Sequence, residues 1–255
     1  MALGLLYRLY ELNLRSGLDP RRLPRHLGVV LDGHRRHARE EGLASYTESY
    51  RAGMARFEDF LSWANEFEIP AVTAWVLSKE NLSRPAEELE PYFNVLAELF
   101  GRLPEQCERF EMQIRVIGSL DLLPDHLVAV AKTAEEARPS GARRLNIAMG
   151  YGGRQEIVDA AKDLVEDLIA RGVPGSDVAA HIDADSLAAH MYSADIPDPD
   201  LLIRTSGESR LSGFLLWQSA YSEFVFVDVN WPAFRRVDFL RALRDYSGRS
   251  RRFGQ

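Results

Sequence analysis

Residues 25–39 read RHLGVVLDGHRRHAR, a short apolar run that ends abruptly in an acid, a glycine and several bases. This pattern predicts a buried strand over residues 27–31 that delivers Asp32 to the carboxyl edge of a sheet, with a helix beginning just after it. Gly33 lets the backbone approach a ligand closely, and the N-terminus of a helix offers free N–H groups to an anion. The stretch therefore predicts a site for a negatively charged ligand.

Three arginines, Arg35, Arg36 and Arg39, follow the acid. One carboxylate among several guanidinium groups indicates a phosphorylated ligand, with a divalent metal bridging the carboxylate and the phosphate. A strand end followed by the solvated, basic start of a helix fits the same residues. The stretch by itself leaves both interpretations open.

The composition limits the classes of protein to consider. With 255 residues the chain is long enough for one large α/β domain, and its net charge of −7 argues against a general nucleic-acid binder. Cys107 is the single cysteine, which excludes a disulfide framework and a cysteine metal site. Charged residues interrupt the apolar N-terminus too early for a signal peptide or a membrane span, so we expect a cytoplasmic protein.

Apolar runs and amphipathic stretches alternate along the rest of the chain. Further strands are predicted at residues 71–77, 113–117, 145–149, 224–229 and from residue 201. Helices are predicted at residues 50–67, 87–104, 121–138, 155–171, 184–192 and 237–247, with a loop at 43–49 and a turn at 139–141. About six strands alternating with helices predict a single α/β domain with a mostly parallel six-stranded sheet flanked by helices.

Polar residues follow two more of these strands. They are Ser78, Lys79, Glu80, Asn81 and Arg84 after one strand, and Arg204, Arg210 and Ser212 at the end of another. Because the carboxyl ends of parallel strands meet at one edge of a sheet, these groups would form a crevice that binds phosphate. The run at 78–81 fits a helix cap equally well. The glycine-rich stretch at 150–153 fails the dinucleotide motif because Gln155 stands at its third glycine position, and no P-loop motif is present.

The first helix is amphipathic. Residues 2–17 place Leu5, Leu6, Leu9 and Leu12 on one helical face. A helix packed on the domain and a weak contact with a membrane surface are both consistent with this pattern. Pro20 and Pro24 then mark a linker into the first strand.

Five motifs in sequence order carry a resemblance to a known family. They are LDGHRRHA at 31–38, SKENLSRP at 78–85, YGGRQEI at 151–157, DLLIRTSGESRLS at 200–212 and FLLWQSAYSE at 214–223. Together they resemble the cis-prenyltransferases, the undecaprenyl diphosphate synthase family, over residues 25–254. Within the family, the first helix, the Tyr50-Arg51 segment and residues 239–247 most resemble the actinobacterial short-chain Z-farnesyl diphosphate synthases. The aspartate-rich motifs of trans-prenyltransferases are absent from the sequence.

The resemblance implies an activity. It is the Mg²⁺-dependent condensation of isopentenyl diphosphate with a short allylic prenyl diphosphate, such as geranyl diphosphate, to a short Z-prenyl diphosphate such as (2Z,6E)-farnesyl diphosphate. The resemblance further implies a homodimer in which a C-terminal R-x-G motif, here Arg252, Phe253 and Gly254, reaches the neighbouring subunit. Residues 1–24 would be an N-terminal helix and linker, and residues 25–255 the catalytic domain.

The resemblance also assigns roles to residues. Asp32 matches the catalytic aspartate that holds Mg²⁺, Asn81 matches the asparagine that helps to remove a proton, and Glu223 matches a second metal ligand. The implied substrate-binding residues are Gly33, His34, Arg35, Arg36, His37, Tyr50, Ser78, Lys79, Glu80, Leu82, Arg84, Arg204, Arg210, Leu211 and Ser212. Of these, residues 33–36 would hold the allylic diphosphate, and Arg204, Arg210 and Ser212 the isopentenyl diphosphate.

Two histidines depart from the family pattern. His34 stands where the family usually has asparagine, and His37 where it has an aromatic residue. Zinc bound by this pair is disfavoured because no further cysteine or histidine ligands are evident. We expect His34 to keep a polar ring near the diphosphate and to add pH sensitivity near neutrality. A non-catalytic relative that binds prenyl diphosphates or partners an active subunit is an alternative.

The length of the product is predicted from the space for its tail. An apolar tunnel is expected between the sheet and the helices at 50–67 and 87–104. Bulky side chains there would close it early, namely Phe57, Phe60, Phe93, Leu96 and Phe100, together with Val76 and Leu77. This interpretation predicts a product of about fifteen carbons, and a synthase of longer polyprenyl chains is the alternative.

Overall fold

The computed structural model describes residues 2–137, 141 and 143–249, with side chains from residue 7 onward. Six strands form one sheet in which every neighbouring pair is parallel. The strands are β1 His26–Val30, β2 Ala71–Ser78, β3 Met112–Ile117, β4 Arg143–Tyr151, β5 Leu201–Arg204 and β6 Glu223–Phe226, and their order across the sheet is β3-β4-β2-β1-β5-β6. The predicted fold class is confirmed.

Eight α-helices connect the strands in the described part of the chain. They are α1 Ala2–Ser16, α2 His34–Glu40, α3 Tyr46–Glu66, α4 Ala86–Arg109, α5 Asp125–Glu136, α6 Gly153–Ala170, α7 Ala184–Ala188 and α8 Arg236–Gly248. Apolar residues along the strands alternate between two cores. Leu27 and Val29 of β1 pack with α3, α4, α5 and α8 on one face of the sheet, whereas Val30 packs with residues 214–215 on the other. Burial on both faces explains the nearly continuous apolar strands.

Several boundaries differ from the prediction. Helix α3 begins at Tyr46, so the last part of the predicted loop at 43–49 is helical. Helix α4 continues to Arg109 because its buried stripe extends through Cys107. Helix α7 is shorter than predicted, and β6 ends at Phe226 rather than at residue 229. The predicted turn at 139–141 lies largely outside the described residues.

The position of β1 creates a crevice. From β1 the chain passes first to β2 on one side, and later returns to β5 on the other side. Ligands of open α/β sheets bind at such a switch point, beyond the carboxyl ends of the strands. Asp32 lies just after β1 and Arg204 ends β5, so the two face each other across this crevice.

The first helix packs against the last. Leu14 of α1 is buried with Val237 and Leu240 of α8. On the opposite side of α1, Leu9 and Leu12 are 55% and 60% exposed. Within the described residues, none of the helices has the length and apolar character needed to span a bilayer.

Candidate active site

A cavity of about 1040 Å³ opens at the carboxyl edge of the sheet. It brings together fourteen of the predicted residues: Asp32, Gly33, His34, Arg35, Arg36, Tyr50, Ser78, Lys79, Glu80, Asn81, Arg84, Arg204, Arg210 and Ser212. Residues that follow three separate strands, β1, β2 and β5, therefore meet in one pocket, as the strand-end pattern predicts.

Asp32 is held rigidly at the centre of the cavity. One carboxylate oxygen accepts the amide N–H of Gly33 (2.8 Å), and the other accepts the guanidinium of Arg204 (2.9 Å). The backbone of Asp32 is fixed by the Thr205 hydroxyl, which accepts from its N–H and donates to its carbonyl. The carboxylate is still 39% exposed, so it has free lone pairs that face the cavity.

Gly33 makes the turn from β1 into α2 possible. Its φ of 103° is left-handed, and a Cβ there would overlap the side chain of Asn230. The turn aims the unpaired N–H groups of the first turn of α2 at the cavity. Arg35 and Arg36 follow on this turn and pair with Glu88 (3.4 Å) and Glu208 (3.1 Å). This side of the cavity therefore presents backbone N–H groups and two guanidinium groups.

A second group of basic and polar side chains lies on the other side of Asp32. The buried Arg204 guanidinium donates to the Ser212 hydroxyl (2.8 Å) and to the backbone carbonyl of Arg210. Arg210 itself is exposed and pairs with Glu208 (2.5 Å). Ser206 and Ser212 both have left-handed backbones, with φ of 71° and 52°. Such strain in non-glycine residues is concentrated at functional loops.

The segment after β2 forms the floor between these sites. Arg84 donates to the side-chain oxygen of Asn81 (2.8 Å) and so fixes the orientation of its amide. The Ser78 hydroxyl accepts the backbone N–H of Asn81 (3.1 Å) and stabilises the 3₁₀ turn Glu80–Ser83. Ser78 therefore both stabilises this turn and lines the cavity.

The donor set around Asp32 resembles that of a substrate-bridging magnesium site. In the part of the chain that the structure describes, no three carboxylate, histidine or cysteine side chains cluster as metal ligands. Mg²⁺ keeps several waters and uses one or two carboxylates plus substrate phosphates, rather than a protein cage. Asp32, facing a cavity lined by arginines, fits that coordination.

Glu223 does not join Asp32 in this chain. It is the first residue of β6 and pairs with Leu201 at the start of β5, whereas Asp32 follows the end of β1. Because the strands are parallel, the Glu223 carboxylate lies at the amino ends of the strands and the Asp32 carboxylate at their carboxyl ends. Glu223 instead accepts from Arg249 (2.6 Å). Arg252, Phe253 and Gly254 lie outside the described residues.

The structure corrects the expectation for both histidines. His34 is buried between α2 and α3, and this burial lowers its pKa to about 4, so the ring does not titrate near neutrality. Its Nδ1 donates to the Ser49 carbonyl (3.3 Å), which fixes the neutral tautomer. His37 lies off the cavity, with Nδ1 against the Ser49 hydroxyl (3.0 Å).

The buried histidines make stability depend on pH. Burial also lowers the pKa of His26 to about 4, so the rings of His34 and His26 are both neutral in the folded protein. In the unfolded chain each ring titrates near pH 6.5. The unfolded state therefore binds more protons below pH 6.5. The contribution of these rings to the free energy of unfolding is therefore fully present above that pH. It decreases as the pH falls towards 4, by up to about 1.4 kcal/mol per pH unit for each ring.

Denaturant titrations between pH 7.5 and 5 measure this effect. In the variant His34→Asn we expect a flatter dependence of the unfolding free energy on pH than in the unsubstituted chain, because one of the two rings is gone. An unchanged slope would show that His34 is accessible to protons in the fold.

Several further assignments differ from the prediction. Leu82 and Leu211 do not line the cavity but pack against the two cores. Trp75, Tyr92, Arg154 and Glu208 line it and were not predicted as site residues. The YGGRQEI motif is the one sequence signal that marks part of this missed set, because its glycines and Arg154 follow the end of β4.

The predicted apolar tunnel is not open. Tyr50, Val76 and Tyr92 are among the residues that line the cavity. Of the residues expected to line a tunnel, only Val76 borders the cavity. The others are packed in the core beyond it: Phe57, Phe60, Leu77, Phe93, Leu96 and Phe100.

Comparisons with known proteins identify the family of the chain. A family model described as undecaprenyl diphosphate synthase matches residues 30–254. The chain is 50% identical over 252 residues to the (2Z,6E)-farnesyl diphosphate synthase of Thermobifida fusca, covering 98% of this chain and 97% of that one. It is 45% identical over 253 residues to the short-chain Z-isoprenyl diphosphate synthase of Mycobacterium leprae, covering 98% and 96%.

A solved structure shares the fold as well. Lavandulyl diphosphate synthase from Lavandula x intermedia, crystallised with dimethylallyl diphosphate, superimposes with a TM-score of 0.84 at 29% identity, over 92% of this chain and 100% of that one. A family model spans most of the sequence, and the relatives align along nearly their whole length. This chain therefore belongs to the undecaprenyl diphosphate synthase family, the cis-prenyltransferases.

Proposed function

We propose that this protein is a Mg²⁺-dependent cis-prenyl diphosphate synthase that joins isopentenyl diphosphate to a short allylic diphosphate. The observation that carries the proposal is the pair of anion sites in one cavity. The first is the N-terminus of α2 with Arg35 and Arg36, and the second is Arg204 with Arg210 and Ser212. Asp32 lies between them and contacts the second through Arg204 (2.9 Å).

This arrangement suits the joining of two diphosphates. The C–O bond of the allylic substrate breaks, a C–C bond to the isopentenyl group forms, and one proton leaves the condensed product. The first anion site stabilises the departing diphosphate, and the second holds the isopentenyl diphosphate beside it. Asp32 would hold Mg²⁺, and the ion would supply positive charge to stabilise the leaving group.

The segment after β2 is assigned to positioning the group that loses the proton. Asn81 would orient the condensing group, since Arg84 holds its amide in place. An amide is too weak a base to accept the proton alone, so we assign the acceptor role to the departing diphosphate or Asp32. Ser78, Lys79 and Glu80 complete the floor on which both substrates rest.

The closed inner end of the cavity favours a short product. Tyr50 and Tyr92 end the space for a prenyl tail, and relatives of similar sequence are named as short-chain Z-prenyl diphosphate synthases. We assign geranyl diphosphate as the allylic substrate and (2Z,6E)-farnesyl diphosphate as the product.

Chain extension tests the proposal directly. The protein is incubated with labelled isopentenyl diphosphate and dimethylallyl, geranyl or farnesyl diphosphate, with Mg²⁺ or with excess chelator. We expect extension of geranyl diphosphate to a C15 product in Mg²⁺ only. Absence of extension with every allylic diphosphate, while prenyl diphosphates still bind, would favour a non-catalytic partner subunit, and products of C50 or longer would favour a polyprenyl synthase.

The sheet edge at β6 supports a homodimer. β6 is the last strand of the sheet, and its Phe226 side chain is 42% exposed and stacked on Phe224 (6.0 Å between ring centroids). We assign this edge to a second copy of the chain, because an uncovered aromatic edge strand promotes pairing. Sedimentation velocity should give a dimer mass that the substitution Phe226→Asp lowers to that of a monomer; an unaffected dimer would locate the interface elsewhere.

A weak contact with a membrane is proposed for the first helix. In this proposal residues 1–24 are a helix and linker appended to the catalytic domain of residues 25–255. The enzyme itself is cytoplasmic. Residues 1–25 and 235–255 together carry a net charge of +8, against −15 for the remainder, and α1 presents Leu9 and Leu12 outward. Exposed leucines beside basic residues suit an anionic lipid surface. We expect the protein to sediment with anionic vesicles but not with neutral ones, and the substitution Leu12→Asp to reduce the sedimented fraction. Equal sedimentation of the unsubstituted protein and Leu12→Asp with anionic vesicles would refute the contact.

A further inference from the structure

Two basic side chains of the cavity have no acidic partner. Eight arginine and lysine side chains line the cavity. Five of them form ion pairs with carboxylates, namely Arg35, Arg36, Arg84, Arg204 and Arg210. Arg39, on α2, donates to the Tyr46 hydroxyl (3.2 Å). Lys79 and Arg154, which we call the basic pair, form no ion pair within the described residues.

Lys79 is held in place by a neutral group. Its ammonium group donates to the side-chain oxygen of Gln155 in the first turn of α6 (2.6 Å). The side-chain nitrogen of Gln155 donates to Asp159 one turn further along (2.7 Å), and the Tyr192 hydroxyl donates to the other oxygen of that carboxylate (2.5 Å). Because Lys79 meets an amide rather than a carboxylate, its side chain is oriented while its charge is not neutralised by the contact.

Arg154 is placed beside the loop that carries Ser212. It follows Gly153, the first residue of α6, whose N–H donates to the Gly213 carbonyl (3.0 Å). A Cβ at Gly153 would overlap that carbonyl oxygen and the side chain of Leu216, so the start of α6 packs directly on this loop. Arg154 is exposed and lines the cavity. The basic pair therefore extends the second anion site towards α6.

The acidic side chains of the cavity leave the basic pair uncompensated. Those that line it are Asp32, Glu80 and Glu208. Asp32 and Glu208 are engaged by arginines of the two anion sites. Glu80 lies near Gly152, but it forms no ion pair with Lys79 or Arg154 in the part of the chain that the structure describes. Positive charge that a cavity leaves unneutralised attracts an anion from solution.

We propose that Lys79 and Arg154 form a third anion subsite of the cavity, which binds a diphosphate group. An ammonium and a guanidinium group on one wall suit the several charged oxygens of a diphosphate. The inference rests on the proposed function and deepens it, because that reaction offers two sources of the group. They are the head group of isopentenyl diphosphate and the inorganic diphosphate that the condensation releases.

Calorimetric titration measures the subsite without turnover. Dissociation constants are determined for inorganic diphosphate, isopentenyl diphosphate and geranyl diphosphate, each added alone so that no condensation occurs. We expect Lys79→Gln and Arg154→Gln each to weaken the binding of inorganic diphosphate about tenfold, because each removes a charge-assisted hydrogen bond. The affinity for geranyl diphosphate should change much less, since its diphosphate is assigned to α2.

The isopentenyl diphosphate titration identifies the source of the bound group. An equal loss of affinity for this substrate would support a subsite that holds its head group. An unchanged affinity for it, beside a loss for inorganic diphosphate, would support a subsite that holds the released product.

Two further variants separate the subsite from the general charge of the protein. Gln155→Glu keeps the size of the side chain but gives Lys79 a carboxylate partner, so it should weaken the binding of inorganic diphosphate as much as Lys79→Gln does. Lys162→Gln removes the same charge from an exposed position of α6 outside the cavity lining, and it should have no effect.

Three results would overturn the inference. They are unchanged binding of both inorganic and isopentenyl diphosphate in Lys79→Gln and Arg154→Gln, an equal loss in Lys162→Gln, and an equal loss for geranyl diphosphate. The second and third would show an effect of overall charge rather than of a subsite. A protein that extends no chain would refute the proposed function, while the titrations would still decide whether the subsite exists.

Discussion

Replacement of Asp32 by alanine is expected to lower the rate of chain extension by about a thousandfold. The carboxylate lies between the two anion sites, and it is already oriented by Gly33 and Arg204 (2.8 and 2.9 Å). Its loss removes the protein ligand for Mg²⁺ and leaves the buried Arg204 without its counter-charge. Rates are measured with saturating isopentenyl and geranyl diphosphates over a series of Mg²⁺ concentrations.

A matched substitution identifies the reason for the loss. Asp32→Asn keeps the shape of the side chain and its bond from Gly33 but removes the negative charge, so we expect nearly the same loss of rate as for Asp32→Ala. A parallel substitution of Glu208, which pairs with Arg36 and Arg210 but lies away from Asp32, should cost far less. If Asp32→Asn retained most of the activity, the charge of Asp32 would not hold the metal.

The second large effect is expected at Arg204. We expect Arg204→Lys to raise the KM for isopentenyl diphosphate by about ten- to a hundredfold, with a smaller change in the KM for geranyl diphosphate. The guanidinium of Arg204 bonds Asp32 and Ser212 simultaneously (2.9 and 2.8 Å), and its side chain is only 8% exposed. An ammonium group lacks the planar fork that makes these contacts together.

The neighbouring arginine provides the control. Arg210 is 65% exposed and pairs only with Glu208 among the ion pairs of the described residues. Arg210→Lys keeps a mobile positive charge at the rim, so it should raise the same KM only severalfold. Equal effects of the two substitutions on both substrates would contradict the assignment of Arg204 to one of two separate sites.

The position of the site was predictable from local pattern. Apolar runs that end in polar residues mark the carboxyl ends of parallel strands, and such ends must meet at one edge. The convergence of Asp32, Asn81 and Arg204 can therefore be predicted from the strand pattern, without knowledge of any tertiary contact. The fold class follows from the same alternation of strands and helices.

The burial of His34 was not predictable in this way. Whether its ring faces the solvent or the core depends on Gly53, nineteen positions further along the chain and on another helix. The closed tunnel has a similar cause, because the hydrogen bond from the Tyr92 hydroxyl to the Val76 carbonyl forms across two elements. The assignment of Glu223 failed for a different reason. Glu223 belongs to a motif, but it is the first residue of β6, so it lies at the amino ends of the parallel strands, whereas Asp32 lies at their carboxyl ends.

The geometry of the newly formed double bond tests the central claim most directly. Product made from geranyl and isopentenyl diphosphates with Mg²⁺ is converted to the alcohol and compared by gas chromatography with farnesol isomers of known geometry. The account predicts a single C15 alcohol in which the new double bond is Z and the one inherited from the geranyl group is E. A product with a new E double bond, or release of diphosphate without any C–C bond, would contradict it.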